Sequence, residues 1–170
     1  MSHPFQFIPA DNYVQVFLPL LALTLLLAAV LSAIPLKPDI VQFELNALKV
    51  IKSWKETDKM WAAFSLGLDF LFLVVYSTTI GLACVWLANV LQAYSLPLAT
   101  VGIWLAWGQW VAALLDMVEN IALTIILVGS VRATLPQLAK WSAIFKFGLI
   151  ILGLLYAAVG GIIWVKLSWV

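Results

Sequence analysis

Residues 60–91 read MWAAFSLGLDFLFLVVYSTTIGLACVWLANVL, and a single charged side chain, Asp69, interrupts the run. About 20 apolar residues in a helix cross the hydrocarbon of a bilayer. Lipid offers no water to backbone groups, so a segment that spans it folds as a helix. Three further runs of the same kind cover 13–34, 96–128 and 138–167. The pattern predicts an all-α polytopic membrane protein. It has four transmembrane helices in an antiparallel bundle and forms one transmembrane domain over 1–170. The last three runs exceed the minimum and tilt or project beyond the hydrocarbon.

Composition agrees. Of 170 residues 65% are apolar and 10% charged, with a mean hydropathy of +1.09; a soluble domain carries about 25% charged residues. The net charge of +1 gives no basic field for a nucleic-acid partner. Cys84 is the one cysteine and cannot form an internal disulfide. His3 is the one histidine and lies outside the spans, so His/Cys metal chemistry has no support and neither metal nor cofactor is expected. No HExxH, phosphate loop, CxxC or nucleophile–base pair points to an enzyme. The first run has no preceding Lys or Arg and is longer than a signal-peptide core, so it reads as an uncleaved span. Pro19 sits in its first turns, and Pro35 and Pro38 end it.

Residues 39–58 differ in pattern. Phe43, Ala47, Val50 and Trp54 recur at i, i+4, i+7 and i+11, with Lys49, Lys52, Lys55 and Glu56 elsewhere. A basic amphipathic helix with a Trp is the signature of a segment lying in the bilayer interface. The alternative is a solvated helix that caps the bundle. The other connections are short, 92–95 and 130–136, as between antiparallel neighbours.

With four spans the termini and the second loop share one side, which carries only Lys166. The opposite side carries Lys37, Lys49, Lys52, Lys55, Lys59 and Arg132, with Lys140 at its edge. The positive-inside rule makes loops one and three cytoplasmic and both termini external. Trp61 and Trp141 flank the cytoplasmic ends; Tyr94, Trp164 and Trp169 flank the others.

Asp69, Asp116, Glu119 and Lys146 fall inside the apolar runs, beside Asn120. Each ionisable group at the bilayer centre costs about 2.5–3.5 kcal/mol on insertion scales, so they are expected to meet one another, water, an ion or a ligand. Folding the second and third runs about Tyr94 brings Asp69 level with Glu119, and folding the third and fourth about Ala133 brings Glu119 level with Lys146. Asp116, Glu119 and Asn120 share one helix face at i, i+3 and i+4, which Gln109 and Ala112 continue. Ser65, Asp69 and Tyr76 share one side of the second run. A polar pocket is expected in which Asp69 and Glu119 are protonatable acceptors, Lys146 is the counter-charge, and Asp116, Asn120 and Tyr76 orient and close it. Trp104, Trp107 and Trp110 either roof it or pack elsewhere. Three carboxylates against one lysine leave an imbalance that a proton or a cation corrects. The expected role is binding of a small amphipathic or lipid-like ligand, or a cation. The alternatives are a structural polar knot, or an enzyme on a lipid-soluble substrate with a carboxylate as acid or base.

Gly153, Ala157 and Gly161 form a small-xxx-small stripe, with Gly160 beside it, for close packing of another span in the same chain or in a second copy.

The segments Leu68-Asp69-Phe70-Leu71-Phe72 with Tyr76, Leu115-Asp116-Met117-Val118-Glu119-Asn120, and Lys146-Phe147 resemble a group of small uncharacterised four-span membrane proteins of bacteria. The resemblance covers about the last two-thirds of the chain, implies a bacterial plasma membrane, and carries no activity with it. A four-span shape with an acidic pocket is also similar to the EXPERA group, at the level of fold alone.

Overall fold

The computed structural model describes residues 2–94, 98–129, 132 and 134–168, without the side chains of 167 and 168. Two 3₁₀ turns, Pro4–Phe7 and Ala10–Asn12, lead into α1 (Tyr13–Ser32). Then follow α2 (Ile40–Ser53), α3 (Glu56–Ala93), α4 (Ala99–Leu127) and α5 (Thr134–Ser168), and no strand occurs among the described residues. Four segments are long and apolar enough to cross a membrane: Ala10–Ser32, Glu56–Ala93, Ala99–Leu127 and Thr134–Lys166. Leu25, Phe64, Leu155 and Ile162 are each more than half exposed. Large apolar side chains bare along such lengths fit lipid as their solvent. This is an integral membrane protein. Trp169 and parts of the two short connections lie outside the described residues.

Local chemistry sets the ends. Asp39 caps α2 by accepting from the Gln42 N–H at 2.9 Å. Trp54 is extended (φ −81°, ψ 139°) and stops α2, and Asp58 accepts from the Lys55 N–H at 2.8 Å where α3 begins. The stretch expected as one amphipathic segment is therefore broken after Ser53, and its last residues belong to α3. α5 likewise starts before Pro136, which its first turn tolerates because those N–H groups have no helical acceptor. Gly129 follows α4 with φ 107°, the left-handed backbone that ends helices.

The chain packs as two compact units. The first comprises residues up to Thr24, Val75–Ala112 and residues from Phe147 onward. There Thr24 and Thr79 share a hydrogen bond at 2.8 Å. Gln109, fully buried, donates to the Leu149 carbonyl at 2.9 Å. A Cβ on Gly153 would collide with Gln109 Nε2 and lie 2.8 Å from Ile80; one on Gly160 would lie 3.1 Å from Leu87. This part of the small-residue stripe thus lies in a seam within the chain, whereas Gly161 faces nothing within 4 Å.

The second unit comprises Leu25–Val74 and Ala113–Lys146. Its core joins Phe43, Ala47, Val50 and Trp54 to residues of α3, α4 and α5, among them Leu66, Leu123 and Ala139. The Phe43 and Trp54 rings lie 4.6 Å apart, and Trp54 Nε1 donates to the Pro38 carbonyl at 3.1 Å. The apolar stripe of α2 is covered by the chain's own helices. Its exposed side carries Lys49 and Lys52 with Val41 and Leu48.

Candidate functional site

Small side chains make room for the polar ones. On α5, Ala139, Ser142, Ala143 and Lys146 are all buried and stand at i, i+3, i+4 and i+7. The two alanines leave space for a lysine to lie inside the unit. On α4, Asp116, Glu119 and Asn120 form one inward face, and Glu119 and Asn120 are fully buried. On α3, Ser65 is buried a turn before the half-buried Asp69. α2 adds Glu44, one position beyond Phe43 and buried with it.

The cluster centres on Lys146. Its Nζ donates to Asp116 Oδ1 at 2.7 Å, stands 2.9 Å from Glu119 Oε2, and lies 3.9 Å from Glu44 Oε1. Asn120 Nδ2 donates to Asp69 Oδ2 at 2.7 Å, and Thr124 donates to the Asn120 carbonyl at 2.7 Å. Five of the six side chains expected to meet therefore lie in one unit. The sixth, Tyr76, is buried in the first unit. The reading from sequence missed Glu44, which stands one position beyond Phe43, off the stripe of Phe43, Ala47, Val50 and Trp54.

Acceptors outnumber donors here. Glu44 Oε2, Glu119 Oε1 and Asn120 Oδ1 are buried and face no donor among the described residues. Yet the Glu44 and Glu119 carboxyls crowd the same Lys146 Nζ, at 3.9 and 2.9 Å. Two carboxyl groups bond only if one carries a proton. Burial raises the Glu44 carboxyl above the ordinary carboxylate range; Lys146 opposes that, and Asp116 adds to it. Among the described residues no group of three His, Cys, Asp or Glu side chains has the arrangement of a metal site. Concavities of about 260 and 270 Å³ are lined by other residues.

His3 lies outside the spans, as expected, and is nonetheless fully buried. The 3₁₀ turn after it places its ring 4.7 Å from Phe5, 4.9 Å from Trp107 and 4.8 Å from Trp110. Trp107 and Trp110 are thus occupied by the N-terminal segment, while Trp104 stays exposed. The His3 Nδ1 accepts from the Phe5 N–H at 3.3 Å; Nε2 has no partner.

Compared with protein-family models, with curated proteins and with solved structures, the chain finds no match.

Proposed function

We propose that this protein holds an exchangeable proton between Glu44 and Glu119, and that the proton keeps α2 docked on three antiparallel spans. The ligand of the acidic site is then the smallest cation. The observation that carries this reading is the shortage of donors: Glu44 Oε2 and Glu119 Oε1 are buried without a hydrogen-bond partner, while both carboxyls gather round the one Lys146 ammonium. An amphipathic ligand at the cluster has less support, because the polar groups bond to each other. Connections of only a few residues between α3 and α4, and between α4 and α5, support the antiparallel order. The excess of Lys and Arg on loops one and three supports their cytoplasmic location and external termini, in a bacterial plasma membrane on the resemblance above. The exposed lysines of α2 then lie at the headgroups.

A second reading, a fixed structural knot, draws on the direct Lys146–Asp116 and Asn120–Asp69 bonds. Infrared spectroscopy of the purified protein separates the two. The proton reading expects a protonated-carboxyl band at neutral pH. It shifts in heavy water, fades as pH rises, and is lost in Glu119→Gln. A spectrum without that band at neutral pH sinks the proposal; a band that neither exchanges nor titrates favours the knot.

A further inference from the structure

α2 is not one straight helix. Asn46 leaves helical geometry (φ −141°, ψ 44°), two residues after Glu44. Beside the break, α2 and the first turns of α5 line an open surface cleft of about 260 Å³. Its walls are divided by chemistry. Leu45 and Leu48 are apolar, Asn46 and Gln137 offer amides, and Lys49 and Lys140 offer ammonium groups; no acidic residue lines it. Both lysines are exposed, and neither pairs with an acid among the described residues.

Two unpaired ammonium groups on one cleft attract an anion, and the amides add donors for its oxygens. A compact aqueous anion has no use for the leucines. An amphiphile uses both walls: an anionic head against Lys49 and Lys140, and the start of an acyl chain against Leu45 and Leu48. Leu138 and Trp141, exposed on α5 beside Gln137 and Lys140, continue an apolar surface away from the cleft. Trp is the side chain that settles at the headgroup level. We infer that the cleft between the break in α2 and the start of α5 binds the phosphodiester headgroup of an anionic phospholipid. This site is separate from the acidic cluster and rests on the reading only in placing the lysine-rich end at the headgroups. A lipid there would brace α2 from its exposed side, opposite the buried Glu44.

Native mass spectrometry of the detergent-purified chain tests it, with phosphatidylglycerol and phosphatidylcholine of identical acyl chains offered in equal amounts. Each lysine near an anionic surface contributes about 1 kcal/mol, so two give a preference for phosphatidylglycerol of about thirtyfold. Lys49→Gln with Lys140→Gln abolishes the preference while leaving thermal stability unchanged, because both side chains are exposed. Lys52→Gln with Lys55→Gln retains it. Equal retention of the two lipids by the wild type overturns the proposal, as does equal loss in both double variants, which would mean diffuse attraction. Inorganic phosphate in excess distinguishes the source: failure to displace the lipid supports a headgroup site, and full displacement overturns it. Glu44→Gln keeps the lipid preference, so the failure of either proposal is visible apart from the other.

Discussion

Lys146 Nζ stands 2.7 Å from Asp116 Oδ1 with both side chains almost wholly buried, so each neutralises a charge that neither water nor lipid would. Breaking such a pair from one side costs about 3–5 kcal/mol, because the other charge stays buried alone. Lys146→Met should therefore lower thermal stability sharply in detergent. Adding Asp116→Leu and Glu119→Gln should restore much of it, since a shape-matched apolar replacement of a buried pair is often neutral. Unfolding followed by Trp fluorescence measures both. A single variant as stable as wild type would show that the bond holds nothing in place.

Glu44 gives stability a pH dependence of known sign. Its carboxyl is raised from 4.5 in the folded chain, mainly by burial, with Asp116 adding to the rise and Lys146 opposing it. The folded state then binds the proton more tightly than the unfolded state. The stabilisation is fully present below about pH 4.5 and is lost as pH rises through the higher folded value. The melting temperature should fall across that window on the alkaline side, and Glu44→Gln, which keeps an uncharged donor in place, should flatten the slope. A wild-type profile flat from pH 4.5 upward counts against a proton on this carboxyl.

The spans were legible because a run of some twenty apolar residues is a signal along the chain alone, and because Asp116, Glu119 and Asn120 share a face by spacing alone. Lys146 and Asp69 followed from counting along helices joined by short loops. Glu44 could not follow, because α2 is placed by the turn at Pro38 and the extended Trp54, not by the period of a span. The stripe of Phe43, Ala47, Val50 and Trp54 announced an apolar face without saying what covers it. Bilayer and protein core ask for the same residues, and here the chain's own helices took that face. His3 left no trace in sequence because its burial comes from a 3₁₀ turn folding back on Trp107 and Trp110, a tertiary event.

His3 works in the opposite direction to Glu44. Burial among aromatic rings pushes its imidazole below the ordinary 6.5. Stability from this group is complete above that value and is lost as pH falls toward the lower folded value. Replacing it with Phe keeps a ring against Trp107 and Trp110 and removes the unpartnered Nε2. His3→Phe should match or exceed wild-type stability at neutral pH and lack the loss just below it. Quenching of Trp fluorescence by an aqueous quencher reports whether the N-terminal turn still covers the two indoles. A variant with greater quenching than wild type would mean that the imidazole itself holds the turn.

Two glycines of one stripe should respond differently to the same methyl group. A Cβ at Gly153 meets the Gln109 amide and Ile80, where the buried Gln109 is already bonded to the Leu149 carbonyl. Overpacking of this kind costs about 1–3 kcal/mol. At Gly161 the methyl meets nothing within 4 Å, and an alanine in a helix is favoured over glycine by about 1 kcal/mol. Gly153→Ala should lower the melting temperature and Gly161→Ala should hold or raise it. The larger Gly161→Leu reports on association, because a bulky side chain at a face shared by two copies would separate them. Size-exclusion chromatography with light scattering gives the outcome. An unchanged mass for Gly161→Leu places the packing role of the stripe inside one chain, at Gly153 and Gly160, and a reduced mass places a second copy against Gly161.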